Sequence, residues 1–244
     1  MAENIYVSTN TITTSEVGPS MQVRFSAILC IMQDAASIHA EKLGLGFDFL
    51  SSNKRAFVLS RMQIKVCSKL PSWDETIKLT TWPRGVERLF AYRDFELADA
   101  SGKPFLQATT SWLMIDTLYR HPVRPQDYFT NVAPHEVRVM DAEAPRRLGW
   151  ETSTQVFDTR RARASDLDPN GHVNNTRYID WVTDAIAERQ GLDAHIDEFS
   201  INFLAEIRMS EAVRIGVCEL PSGEIVVQGE TDKHSFAARV TLAK

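Results

Sequence analysis

Residues 166–175 read Asp-Leu-Asp-Pro-Asn-Gly-His-Val-Asn-Asn and run into an apolar helical pattern that begins at Tyr178. Pro169, Asn170 and Gly171 are turn formers, and Asn174 and Asn175 can accept from the free N–H groups of a helix start. The spacing predicts a tight bend aimed at a helix N-terminus, with Asp168, Asn170 and His172 at alternate positions on it. Composition alone leaves a plain solvated turn as the alternative, because any turn uses Asp, Asn, Pro and Gly. The order of acid, amide and imidazole ahead of a helix suggests another use. Backbone donors and the positive end of the helix dipole can polarise a carbonyl there.

Working outward, 6–36 can be laid on 156–186 at a constant offset of 150 without a gap. Thr9 meets Thr159, Ser15 Ser165, Pro19 Pro169, Val23 Val173, Asp34 Asp184 and Ala35 Ala185. Ile28, Leu29, Ile31, Met32 and Ala35 fall opposite Tyr178, Ile179, Trp181, Val182 and Ala185. A shared helix face, turn proline and spacing predict a duplicated unit. Each helix is apolar around more than half its circumference, which predicts that it is enclosed.

Strands follow the first helix. Met62, Ile64 and Val66 alternate with Arg61, Gln63 and Lys65, and runs at 76–82, 88–97 and 105–115 are separated by turns at 83–85 and 99–102. From 116 to 153 the periodicity fails, and Pro122, Pro125, Pro134 and Pro145 punctuate a connection. The plan then repeats: a strand at 154–163, the bend, a helix to about Arg189, and strands near 199–204, 213–220, 225–229 and 236–242. The expected class is α+β. Two units, 1–130 and 154–244, are joined by 131–153, and each wraps an antiparallel sheet around a central helix. They share either one continuous sheet or two packed sheets.

The repeat supplies an internal control. Opposite Asp168, Asn170 and His172 the first unit has Gly18, Ser20 and Gln22, none of which is a carboxylate or a base near neutral pH. A loose alignment of 74–79 with 210–215 likewise sets Leu70 opposite Glu206, so that charge also belongs to the second unit alone.

A chain of 244 residues suits two small domains sharing a core, and 43% hydrophobic with 24% charged residues is a soluble globular composition. The net charge of −5 argues against a nucleic-acid binder. No apolar run approaches the ~18 residues of a membrane span, and 1–10 lacks a basic n-region and an apolar h-region, so no membrane association and a cytoplasmic location are expected. Cys30, Cys67 and Cys218 are odd in number and lack Cys-x-x-Cys spacing. They suggest neither disulfides nor a zinc site, and buried thiols are expected; no metal and no cofactor is called for.

Segment 166–181 closely resembles the signature of the acyl-acyl carrier protein thioesterases, fatty-acid-releasing enzymes of plant plastids and some bacteria with a double hotdog fold. Trp82, 88–97, 111–114 with the basic stretch after it, and 203–206 also look like family features, so the resemblance covers most of the chain. It implies a tandem hotdog that hydrolyses the thioester of fatty acyl-[acyl carrier protein]. The implied partner is acyl carrier protein with its phosphopantetheine-linked acyl chain. Plastid members carry an N-terminal transit segment that 1–10 does not resemble, which favours a bacterial cytosolic form. Glu206 falls where the plant family has a catalytic glutamate. Many plant members follow it with cysteine, whereas this chain has Ile207, and no Gly-x-Ser-x-Gly elbow occurs. Water is left as the nucleophile.

With that chemistry, Glu206 and His172 are the candidates for activating water, their division of roles left open. Asn170 and a backbone N–H at Val173 or Asn174 would hold the oxyanion, and Asp168 would orient its neighbours as a carboxylate fixes a histidine tautomer. By resemblance the acyl tunnel lies mainly in the first unit, with Ile28, Met32, Phe57, Met62, Ile64 and Trp112 as possible lining, each equally at home as plain core. Arg160, Arg161 and Arg163 precede the bend, and Arg120, Arg124, Arg146 and Arg147 lie in the connection; the first three are the candidates for docking an acidic carrier. A hotdog acyl-CoA thioesterase and a non-enzymatic acyl-binding protein remain alternatives, as do monomer and homodimer.

Overall fold

The computed structural model describes residues 4–130, 132–135, 137–140 and 144–243. The first half runs β1 (Tyr6–Thr11), a 3-10 turn (Thr14–Glu16), α1 (Phe25–Lys42), α2 (Phe47–Ser52), β2 (Arg55–Val66), β3 (Thr76–Glu87), β4 (Phe90–Asp99), β5 (Pro104–Asp116) and a short β6 (Pro122–Val123). The second runs β7 (Gln155–Arg161), a 3-10 turn (Ala164–Asp166), α3 (Asn175–Gln190), β8 (Ile196–Phe203), β9 (Ala212–Glu219), β10 (Ile225–Glu230) and β11 (His234–Leu242).

All strand pairings are antiparallel and form one sheet in the order β1-β3-β4-β5-β2-β8-β11-β10-β9-β7, with β6 on β5. Read outward from the centre, β2-β5-β4-β3-β1 corresponds element by element to β8-β11-β10-β9-β7. The duplication seen in the sequence is therefore a pseudo-two-fold about the β2–β8 seam, the tandem hotdog arrangement. Of the two sheet arrangements left open, the continuous one is found.

At the seam Met62 pairs with Ile201 and Ile64 with Phe199, and all four are at most 1% exposed. The Phe25 ring of α1 stacks on Phe199 at 6.0 Å. Full burial of one such side chain is worth about 1.5–3 kcal/mol. Several of them along one seam make a shared core rather than two docked surfaces. Helices α1 and α3 pack against each other and against the sheet. Neither is fully enclosed, contrary to expectation: Cys30, Asp34, Ser37, Ile38 and Glu41 form an exposed stripe on α1. Each helix has sheet and partner helix on one side only, so its opposite face meets water.

The connection crosses the outer face of the sheet, held by side chains that break that face's expected polarity. Asp94, Asn202 and Gln228 are each at most 2% exposed. Asp94 accepts from the Val139 N–H at 3.3 Å. Asn202 accepts from the Leu148 N–H at 2.7 Å and donates to the Arg146 carbonyl at 3.0 Å. Gln228 accepts from the Glu151 N–H and donates to its carbonyl. A buried polar group without partners would be costly, and here each is satisfied by backbone groups of the connection, which lie outside any strand.

Candidate active site

The bend at 166–175 closes by backbone bonds. Asp168 N–H donates to the His172 carbonyl at 2.8 Å, Gly171 N–H to the Asp168 carbonyl at 3.0 Å, and Gly171 has φ +77°. Asn174 caps α3, its side chain accepting from Thr176 N–H and Thr176 Oγ1, both at 3.0 Å. The first unit makes the same bend: Gly18 N–H donates to Gln22, Met21 N–H donates to Gly18, and Met21 has φ +60°. Its helix begins at Phe25, and the N-cap residue Arg24 supplies no side-chain cap. The polar trio is thus unnecessary for the turn, since Gly18, Ser20 and Gln22 form it too.

Asp168 turns its carboxylate onto the bend. Oδ1 accepts from Asn170 N–H at 2.9 Å and His172 N–H at 3.2 Å, and Oδ2 from Asn170 Nδ2 at 3.3 Å. Asp168 was expected to orient its neighbours, and it does so through these bonds rather than through the imidazole ring. Asp168 orients the backbone and the Asn170 amide, leaving the second N–H of that amide for a ligand. The imidazole faces Glu206 instead, with His172 Nε2 3.1 Å from Oε2.

Glu206 arrives from the loop after β8. The equivalence guessed from sequence has a geometric counterpart: Val173 N–H donates to Ile207 and Val23 N–H to Pro71, while Ser210 and Asp74 share positive φ. Leu70 therefore stands opposite Glu206. These bonds also correct the oxyanion expectation. The Val173 N–H is committed to Ile207 at 2.8 Å and the Asn174 N–H to Asp166 at 2.8 Å, so neither is free to hold an oxyanion. The cause is antiparallel bridging, of Leu167 with Val173 within the bend and of His172 with Arg208 on the neighbouring loop.

Two neighbours were not assigned from sequence. Arg120, in the β5–β6 hairpin of the first unit, donates through Nη2 to both Glu206 oxygens, at 2.6 and 2.5 Å. It lies in the basic stretch after 111–114, so a signal was present without a role. Tyr178 lies behind the site, packed edge-on against Phe203 and Phe236. Burial pushes its phenol well above the usual tyrosine range, against a backbone hydrogen bond at Ile207, so it stays protonated.

Of the docking candidates, Arg160 is occupied by Asp158 at 2.7 Å and Asp184 at 2.9 Å, whereas Arg161 and Arg163 are exposed. Ile28, Met32, Met62 and Ile64 are closed core; Trp112 is half-buried and bonds Thr110 through Nε1. None of the five borders the groove of about 690 Å³ that lies elsewhere, between the first unit's bend and the C-terminal end of α3. The cysteines are not buried as expected: Cys30 and Cys67 are exposed and Cys218 half-buried. Cys30 lies on the water-facing stripe of α1 and Cys67 just beyond β2, although partial burial still pushes both thiols up.

Comparison with known proteins identifies relatives of the chain. Residues 3–132 match the acyl-ACP thioesterase N-terminal domain and 151–243 the C-terminal domain. A chloroplastic dodecanoyl-[acyl-carrier-protein] hydrolase of Cinnamomum camphora is 27% identical over 86% of this chain, and a chloroplastic palmitoyl-acyl carrier protein thioesterase of Arabidopsis thaliana 25% over 89%. The chain spans 58% and 56% of those relatives' lengths. The fold matches an acyl-ACP thioesterase from Bacteroides thetaiotaomicron (TM-score 0.88, 24% identity, 98% of both chains). It also matches the 12:0-ACP thioesterase from Umbellularia californica (TM-score 0.84, 21% identity, 100% of this chain and 98% of that one). With both domain models matched across nearly its whole length, the chain belongs to the acyl-ACP thioesterase family.

Proposed function

We propose that the protein hydrolyses the thioester of a fatty acyl chain carried on acyl carrier protein, releasing free fatty acid. The observation that carries this reading is His172 Nε2 at 3.1 Å from Glu206, on the same bend as the Asp168-held amide of Asn170, in the second unit only. A carboxylate offers about four acceptor sites. Arg120 takes one on each oxygen and His172 faces Oε2, which leaves a position on Oε1 for water. Water attacks the thioester carbon while its proton passes to Glu206. The Asn170 N–H supports the oxyanion, and its collapse breaks the C–S bond. The departing thiolate is a good leaving group and takes its proton from His172 or from solvent. General base catalysis and one oxyanion donor each contribute about 100-fold or more.

Acyl carrier protein is acidic, and the exposed Arg161 and Arg163 next to the bend are the cations proposed to meet it. Arg160 is omitted because its charge is already paired. Ile28, Met32, Met62, Ile64 and Trp112 stay the proposed wall of the acyl pocket, which requires the packed first-unit core to open. The relatives carry dodecanoyl, palmitoyl and oleoyl names, so no chain length is assigned. A cytoplasmic location is proposed with the activity; among the described residues no helix is long and apolar enough to cross a membrane.

The test offers purified protein a series of acyl chains on acyl carrier protein and on coenzyme A and follows free thiol. Preferred release from the carrier is expected. Release from coenzyme A alone would reassign the handle, and no release from either would leave an acyl-binding module.

A further inference from the structure

We infer that Arg120 is a positioning residue that the first unit contributes to the catalytic glutamate of the second; this deepens, and rests on, the hydrolase reading above. Glu206 sits on a loop, and its side chain is 36% exposed. Among the described residues of its own unit the carboxylate meets only His172, on one oxygen, at 3.1 Å. Three rotatable bonds on a loop do not fix a base to the few tenths of an ångström that attack on a carbonyl requires. Arg120 supplies the missing constraint by contacting both oxygens through one nitrogen.

The hairpin that presents Arg120 is itself held firmly. The Asp116 carboxylate accepts from Leu118 and Tyr119 N–H, both at 2.9 Å, and pairs with Arg55 at 2.5 Å. Arg120 N–H donates to the Asp116 carbonyl at 2.8 Å, Asp116 N–H to His121 at 2.9 Å, and Thr117 N–H to Lys54 at 3.0 Å. The rings of Tyr119 and His121 stack. Arg120 adopts φ +53°, a left-handed conformation unfavourable for a non-glycine residue. The chain thus keeps a strained backbone at the one residue of the hairpin that reaches Glu206.

Stability does not account for the pair. The Arg120 side chain is 54% exposed, and exposed ion pairs contribute little. Fixing a reacting group works differently, because a small displacement of a base is felt in the rate while the fold is untouched. The contact also links the two units that share one sheet. Register across the β2–β8 seam sets the distance between hairpin and loop.

The test measures kcat and KM for Arg120→Met and Arg120→Lys, in the wild-type and Glu206→Gln backgrounds, on an acyl-carrier substrate and on a short soluble thioester. Arg120→Met should lower kcat about 10- to 100-fold on both substrates, with KM changed less than about 3-fold and Tm by less than about 4 °C. Arg120→Lys should recover part of the rate, since it restores the charge on a more flexible stem. In the Glu206→Gln background Arg120→Met should cost less than about 3-fold more, because a residue acting through Glu206 has nothing left to position. A full independent loss in that background would overturn the inference, as would unchanged kcat. So would a KM effect confined to the carrier-linked substrate, which would make Arg120 a docking cation. Inactive wild-type protein would refute the hydrolase reading itself and is distinguished at once from these outcomes.

Discussion

Replacing Asp168 in two ways separates the turn from the chemistry. Asp168→Asn keeps an oxygen for the Asn170 and His172 N–H groups, now 2.9 and 3.2 Å from Oδ1, but sets an amide nitrogen against Asn170 Nδ2, where Oδ2 now accepts at 3.3 Å. Donor then faces donor, and the Asn170 amide must let go. Asp168→Ala removes every acceptor. Net hydrogen bonds contribute about 0.5–1.5 kcal/mol each, and water can replace the more exposed of the three, so the alanine variant should lose about 1–3 kcal/mol. For a chain of this size that is a Tm drop of roughly 2–12 °C, with less than about 4 °C for Asp168→Asn. Both should fold, because the first unit closes the same bend with Gly18 at this position. Turnover should nonetheless fall about 100-fold or more in Asp168→Asn. Thermal denaturation and thiol release at saturating acyl-carrier substrate read the two effects separately. Wild-type turnover in Asp168→Asn would refute the role of the Asn170 amide. Equal destabilisation by Asn and Ala would show that the charge, rather than the acceptor, holds the bend.

Other outcomes follow from the same geometry. Reversing Arg161 and Arg163 to Glu should raise KM for the carrier-bound substrate and leave a short soluble thioester largely unaffected; equal loss on both would indicate damage to the bend. Binding should also weaken with salt, since surface charges are screened beyond ~8 Å at physiological ionic strength. Gln22→Ala should be nearly neutral where His172→Ala costs about 100-fold or more, and matching losses would make both bends functional. Hydrogen bonds from Tyr119 and Leu118 N–H, with help from Arg55, hold the Asp116 carboxyl below the usual carboxylate range. A depressed pKa stabilises the fold above the unfolded value of about 3.9 and loses that effect as pH falls through the lower, folded value. The Tm deficit of Asp116→Asn should therefore be full near pH 7 and shrink below about pH 4. A deficit of equal size at pH 7 and pH 3 would remove the linkage.

The bend, its helix and the repeat were legible because local rules act there. Turn formers, a cap and an apolar face recur at one spacing, and the paired bends at 18–22 and 168–172 form alike. What failed depended on contacts between distant residues. Val173 and Asn174 read as open donors until the loop at 207 and Asp166 claimed them. Asp168 orients its neighbours through Asn170 and the His172 N–H, while the imidazole ring faces Glu206 from a separate loop. The pairing of Arg120 with Glu206 spans 86 residues and depends on how two units align, which no periodicity encodes. The cysteines misled because thiols are usually buried, whereas Cys30 lies on the helix stripe that no strand covers.

The seam between β2 and β8 bears on what either half would be alone. Separated from its partner, the first unit would present the twelve-residue β2 as a bare edge, with Met62 and Ile64 beside unpaired amide and carbonyl groups. Long apolar edges of this kind recruit other chains and seed aggregates. The intact sheet ends instead on the six-residue β1 and the seven-residue β7, the latter bearing Asp158, Arg160 and Arg161. Fusing the two copies into one chain thus conceals the most adhesive strand of each and leaves short, partly charged strands at the margins.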